Sequence, residues 1–168
     1  AKRVRFLTDP LGLNVLVDRT VLPTPKSLPC DTQQQLPVPP PPGVEPLCVG
    51  EVDWALGSKH TIGAPSPQYD AYGRLWVFKS FSNGMENHSV YEVTSLMPPE
   101  TIVARFVRGA RISFVTQPAG LKLEINGRSN WPAYNFVAAP GEQYHVSAPL
   151  EQTDAQGRKW VFSHWSNG

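Results

Sequence analysis

One stretch is written twice in this chain, and the duplication constrains the fold more than any other feature. Gly73-Arg74-Leu75-Trp76-Val77-Phe78-Lys79-Ser80-Phe81-Ser82-Asn83-Gly84 returns as Gly157-Arg158-Lys159-Trp160-Val161-Phe162-Ser163-His164-Trp165-Ser166-Asn167-Gly168. Each copy reads as a turn, an aromatic-rich strand and a second turn, because Gly and Asn-Gly punctuate a β-branched and aromatic run. A chain of 168 residues can bury one medium core or two small ones, and the duplication favours two.

The repeat extends well beyond this stretch. Phe6-Leu7-Thr8-Asp9-Pro10-Leu11-Gly12-Leu13-Asn14-Val15-Leu16-Val17 matches Phe114-Val115-Thr116-Gln117-Pro118-Ala119-Gly120-Leu121-Lys122-Leu123-Glu124-Ile125 at an offset of 108 residues. In both copies a short strand meets a Pro-x-Gly turn and a second, strictly alternating strand follows. The block from Gly57 to Pro65 pairs with Gly141 to Pro149, and Gln68, Asp70, Ala71, Gly73 and Arg74 with Gln152, Asp154, Ala155, Gly157 and Arg158, at an offset of 84. The first copy therefore carries 24 extra residues between its matched blocks, around positions 21–52.

That insert holds nine of the eighteen prolines, among them the run Pro39-Pro40-Pro41-Pro42, and both cysteines, Cys30 and Cys48. A Pro run favours a stiff polyproline II segment. The two cysteines are expected to form a disulfide closing the base of a projecting loop, which would contribute roughly 3 kcal/mol by restricting the unfolded chain. The alternative is two free thiols in a reducing compartment. After Gly84 the first copy adds two alternating strands, His88–Val93 and Thr101–Phe106; the second, ending at Gly168, is expected to lack their equivalents. Beginning at Ala1 without a signal peptide, the chain reads as a processed protein or an excerpt of a longer one.

Several function classes find no support in the residues. The net charge is +1 and Lys and Arg form no stripe, so no nucleic-acid partner is expected. No apolar run is long enough to span a bilayer, so no membrane insertion is expected. There is no Gly-x-Ser-x-Gly elbow, no His-Glu-x-x-His, no phosphate-cradling Gly loop and no Cys-x-x-Cys, and the histidines His60, His88, His145 and His164 lack ligand spacing. We expect no catalytic residues, no cofactor and no metal. Asp70 with Arg74, and Asp154 with Arg158, recur at one spacing; a polar binding pair competes there with a β-turn in which Asp caps backbone N–H groups, and the turn is preferred.

The aromatics divide into two groups. Trp76, Phe78, Phe81, Trp160, Phe162 and Trp165 recur with the repeat and are expected to fill cores. Trp54, Tyr69, Tyr72 and Trp131 break the symmetry and are the candidates for an exposed binding surface that takes a polysaccharide or protein. Asn87-His88-Ser89 also fits a glycosylation sequon.

The pattern of Pro-x-Gly-Leu, Gly-x-x-His/Tyr with Ala-Pro, and Gly-Arg-x-Trp-Val-Phe-x-x-Phe/Trp-Ser-Asn-Gly resembles tandem repeats of large secreted or surface-attached bacterial proteins. These repeats abound in bacteria of the acidobacterial kind and are similar to PEGA-type modules. The resemblance implies an all-β spacer or adhesive stalk and carries no catalytic signature. The expectation is thus an all-β chain of two tandem, small antiparallel β-sandwich (Ig-like) modules, over residues 1–108 and 109–168, the second lacking its last strands. Its expected setting is secreted or on the cell surface. Its partners would be neighbouring repeats or domains of the same chain, with self-association through the open edge of repeat 2 as a further possibility.

Overall fold

Strands are the regular elements of this computed structural model, which describes residues 1–28, 47–130 and 134–168; no helix occurs among them. The chain is all-β and divides into two compact units, Ala1–Arg108 and Gly109–Gly168.

Unit 1 holds nine strands: β1 (Lys2–Asp9), β2 (Asn14–Val17), β3 (Thr20–Pro23), β4 (Glu51–Trp54), β5 (Lys59–Gly63), β6 (Gln68–Tyr69), β7 (Leu75–Phe81), β8 (Ser89–Glu92) and β9 (Glu100–Arg108). They form a five-stranded sheet in the order β4-β1-β9-β7-β6 and a four-stranded sheet in the order β3-β2-β5-β8. Alternation supplies the core. Val4, Phe6 and Thr8 of β1 and Ile102, Ala104 and Phe106 of β9 are buried, as are Leu13 and Val15 around the start of β2 and Ile62 of β5. Both sheets thus feed one cluster, completed by Trp54, Phe81 and Val93. Burying each of the larger aliphatic or aromatic side chains contributes about 1.5–3 kcal/mol.

β9 holds the larger sheet together. It runs parallel to β1, with Phe6 opposite Ile102 and Thr8 opposite Ala104, and antiparallel to β7, with Phe78 opposite Phe106 and Phe81 opposite Ala104. The parallel pair corrects the expectation of a purely antiparallel module. β9 enters from the other sheet after β8, a crossover that lets it lie alongside β1 in the same direction. The register slips between Phe78 and Ser80, so Lys79 is extra. Such a bulge lets Phe78 and Phe81, three residues apart, face the same core, with ring centroids 4.8 Å apart.

The extra residues of the first copy lie between Pro23 and Glu51, a narrower stretch than 21–52. Val21–Pro23 belongs to β3, and Glu51 and Val52 belong to β4. At its end Gly50 has φ +82°, accepts a 2.8 Å hydrogen bond from Phe6 N–H, and lies where an added Cβ would come within 2.7 Å of Phe6 O. Glu51 anchors the same corner: its carboxylate accepts from Cys48 N–H (2.9 Å) and Arg5 Nε (2.7 Å). Burial pushes this carboxyl up, but those donors outweigh it and hold the value below normal. Cys30 and the proline run lie outside the described residues, and with them the expected Cys30–Cys48 bond.

Unit 2 repeats the first seven strands in the same order: β10 (Ala110–Phe114), β11 (Leu123–Ile125), β12 (Arg128–Asn130), β13 (Tyr134–Ala138), β14 (Val146–Ser147), β15 (Glu151–Thr153) and β16 (Lys159–Val161). β10 pairs with β13 as β1 does with β4, β11 with β12 and β14 as β2 does with β3 and β5, and β15 with β16 as β6 does with β7. Nothing among the described residues stands where β8 and β9 stand in unit 1. Unit 2 accordingly forms three separate small sheets, β10-β13, β12-β11-β14 and β15-β16.

Candidate functional site

The recurring Asp and Arg form a turn that closes on itself. Asp70 Oδ1 accepts from Tyr72 N–H and Arg74 N–H, both at 2.9 Å, while Oδ2 accepts from Arg74 Nε at 2.6 Å and Trp76 Nε1 at 2.9 Å. In unit 2 Asp154 accepts from Gln156 N–H and Arg158 N–H at 2.9 Å, Arg158 Nε at 2.7 Å and Trp160 Nε1 at 2.9 Å. Gly73 and Gly157 take the left-handed conformation that the turn needs, at φ +74° and +77°. Burial pushes the Asp70 carboxyl up, yet its donors outweigh this and hold it far below the carboxylate range; Asp154, led by the Trp160 N–H, falls to about 2. With four donors each, these carboxylates are ionised turn caps with little acceptor capacity to offer a ligand. The bond from Asp to the indole six residues on ties the turn to the aromatic strand. Its signal, Asp followed six residues later by Trp, is present in both copies.

A second device shared by the copies was legible only as an identity. The Gln68 side chain accepts from Asn14 N–H (2.9 Å) and donates to Asn14 O (3.0 Å), and Gln152 does the same to Lys122 at 2.7 and 3.1 Å. Each glutamine acts as one extra rung beside the second strand.

One constellation is peculiar to unit 1. His60 Nδ1 lies 2.7 Å from Asp18 Oδ2 and its Nε2 lies 2.9 Å from Ser58 Oγ, an order familiar from Ser-His-Asp hydrolases. Three observations give it a structural role. Ser58 Oγ donates to Ala55 O at 2.7 Å, so its oxygen is left to accept from His60, the reverse of what an activated nucleophile needs. The imidazole is stacked on Trp54, 4.0 Å between centroids. Asp18, at φ +50°, also caps Thr61 N–H at 2.9 Å, a bond that Asn126 repeats to His145 N–H at 3.0 Å. The His60 hydrogen bond, followed by that backbone N–H, lowers the Asp18 carboxyl.

The candidate binding aromatics separate. Trp54 is 7% exposed and packs against Phe6 and Tyr91, so it belongs to the core rather than a surface; its register partner Lys2 places it opposite β1 at the sheet edge. Tyr69 and Tyr72 are 52% and 83% exposed, and the Arg74 guanidinium lies 4.9 Å over the Tyr72 ring. Trp131 lies outside the described residues. The sequon Asn87 is engaged by both ends of its amide, accepting from Ala64 N–H (2.7 Å) and donating to Ala64 O (3.1 Å). Among the described residues no group of three or more His, Cys, Asp or Glu is placed to hold a metal ion.

The expected core aromatics behave differently in the two units. Phe81 is buried, and Trp76 and Phe78 pack against the unit 1 core. In unit 2, Trp160 and Trp165 are half-buried, Phe162 is 36% exposed and Val161 66% exposed, so the core expected around Phe162 is not closed. The physical reason is the absence of a β9 counterpart among the described residues. A cavity of about 460 Å³ lies beside these aromatics, lined among others by Thr116, Gln117, Leu121, Leu123, Phe162 and Trp165. No protein-family profile, curated protein or solved structure matches this chain.

Proposed function

We propose that the chain is a non-enzymatic structural segment of a larger secreted or surface protein: two tandem β-sandwich modules of Ig-like architecture acting as a spacer or adhesive stalk. The observation that carries the reading is the duplicated Asp-Arg-Trp turn. The polar groups best suited by type to binding or acid-base work are spent, in both units, on their own backbone and their own tryptophan. A device copied together with the strand it braces serves the fold. In this reading the core of unit 1 and its two sheets make one face-to-face sandwich, and unit 2 is a second copy of its first seven strands. Neighbouring repeats or domains of the same chain are its first partners.

Two rivals rest on specific observations. The exposed Tyr69 and Tyr72 would suit stacking on a sugar or packing on a protein, and the Asp18–His60–Ser58 chain has the spacing of a hydrolase triad. The test is a panel of soluble polysaccharides by calorimetry together with a fluorophosphonate probe for reactive serine. The spacer reading predicts neither saturable sugar binding nor labelling. Sugar binding lost in Tyr72→Ala, or labelling at Ser58 lost in His60→Ala, would overturn it.

A further inference from the structure

The Asp18–His60–Ser58 chain of unit 1 holds more protons than a neutral imidazole can supply. Ser58 has a single hydroxyl proton, and Ala55 O takes it at 2.7 Å. Toward His60 Nε2, 2.9 Å away, the hydroxyl can only accept, so that nitrogen carries a proton. The Asp18 carboxylate is also an acceptor, so His60 Nδ1, 2.7 Å from Oδ2, carries another. A neutral ring has one N–H; the two bonds together require the charged ring. The ring lies flat on the Trp54 indole, with centroids 4.0 Å and planes 8° apart, a position that suits a cation. The other titratable groups around it are occupied with one another. Tyr91, opposite His60 on β8, donates to Glu100 at 2.5 Å, and Lys2, opposite Trp54 on β1, lies 3.7 Å from the same carboxylate. Lys59 and Glu92, which alternation turns to the other face of β5 and β8, pair at 3.3 Å. In unit 2, Asn126 and Tyr144 stand at the matched positions, so the charge belongs to unit 1 alone.

We propose that His60 is a proton-operated clasp: the charged ring fastens the β2–β3 turn, through Asp18, and the β4–β5 turn, through Ser58, and releases the second when it gives a proton to solvent. The carboxylate decides which proton leaves. A lone pair on Nδ1 would face the negative Asp18 oxygen, so the neutral ring keeps Nδ1–H, a charge-assisted bond, and gives up Nε2–H. Ser58 is then left with two acceptors, Ala55 O and His60 Nε2, and one proton to share between them. One of its two bonds is lost, and the turn from Ala55 to Ser58 slackens. The sign follows on both sides. The contribution of the ring is full while it is charged and is lost as pH rises and the proton leaves. That of Asp18, whose carboxyl the His60 hydrogen bond lowers, is full above the usual carboxylate value near 3.9 and is lost as pH falls through its folded value. Unit 1 is therefore held most firmly at this end in mildly acidic surroundings.

The test is a pH titration of the chain of 168 residues, followed by nitrogen NMR of the histidine rings and by indole fluorescence, with Asp18→Asn and His60→Gln as variants. Asp18→Asn keeps the turn, because Asn126 takes the matched place at φ +49° and caps His145 N–H as Asp18, at φ +50°, caps Thr61 N–H. The expected result is a His60 ring with protons on both nitrogens on the acid side, which loses the Nε2 proton and keeps that on Nδ1 as pH rises. In Asp18→Asn the ring should hold its second proton at least about threefold less tightly, since the opposing charge is gone. A charged imidazole stacked on an indole quenches its emission, so Trp54 should brighten as the ring discharges, a change that His60→Gln abolishes. A neutral ring protonated on Nε2, equal proton affinity in parent and Asp18→Asn, or the same brightening in His60→Gln overturns the proposal. Amide protection of β1 and β9 shows that each variant is folded, and the tautomer of the parent ring decides the matter where a variant does not fold.

Discussion

Replacing Ile102 by Ala probes the strand on which unit 1 depends. The side chain is fully buried, opposite Phe6 of β1, in a strand hydrogen-bonded on both sides by β1 and β7. Removing such a side chain to Ala costs about 2–5 kcal/mol, and the upper half of that range is expected where flanking backbone cannot collapse into the cavity. A domain of this size is stable by about 5–15 kcal/mol, so the variant gives up a large share. With a urea slope of about 1–3 kcal/mol/M, the unfolding midpoint of unit 1 should fall by roughly 1–3 M. Two units need not unfold together, so urea-dependent hydrogen exchange should be read separately in β1 and β11. The paired controls are Val77→Ala and Val161→Ala. Val77 faces Val107 of β9, whereas Val161 is 66% exposed, so the second should change stability by less than about 0.5 kcal/mol and the first by more. An Ile102→Ala loss under about 1 kcal/mol, or equal losses in the two valine variants, would refute β9 as the element that distinguishes the units.

Other outcomes follow from single contacts. Asp70 and Asp154 have folded-state values below the usual carboxylate value near 3.9, so their contribution is complete above it and is lost as pH falls through the folded values, about 2 for Asp154. Acid unfolding of Asp154→Asn, followed by near-ultraviolet dichroism of Trp160, should therefore be flatter from about pH 4 downward than that of the parent; an unchanged pH profile would contradict the turn-cap role. Gly50→Ala should destabilise unit 1 by about 1–3 kcal/mol or more, since a left-handed φ and a Cβ against Phe6 O combine, and thermal unfolding checks it. Alkylation of native protein without reductant should leave both cysteines unlabelled, as mass spectrometry would show; two labelled thiols would disprove the Cys30–Cys48 disulfide.

What the sequence disclosed was what repeats locally. The alternating strands around Phe6, Val15 and Trp76, the Asp-x-x-Gly-Arg turn and the seven-strand correspondence all leave short-range patterns of apolar spacing and turn residues. Less legible were contacts that join distant segments. Asp18, Ser58 and His60 come from a hairpin turn, a loop and a strand, and no spacing announces their meeting. The parallel pairing of β9 with β1 joins residues almost a hundred positions apart, which periodicity alone does not reveal. Trp54 breaks the symmetry of the sequence, standing before Gly57 at a different distance than Trp131 before Gly141; in the structure its register counterpart in unit 2 is Ala138, and both are buried. The exposure of Phe162 was hidden for a related reason, since its burial depends on a strand outside the repeated stretch.

The central claim is that the two units are copies of one module, β10 to β16 matching β1 to β7 strand for strand, with no counterpart of β9 among the described residues. Amide exchange at matched positions tests this most directly, comparing the edges of β1 and β7 that face β9 with the corresponding edges of β10 and β16. The account predicts slow exchange along β1 and β7, and fast exchange at the amides of β10 that point away from β13 and along the edge of β16 that points away from β15, while β11 stays protected. Equal protection of the four edges in the isolated monomer would contradict it.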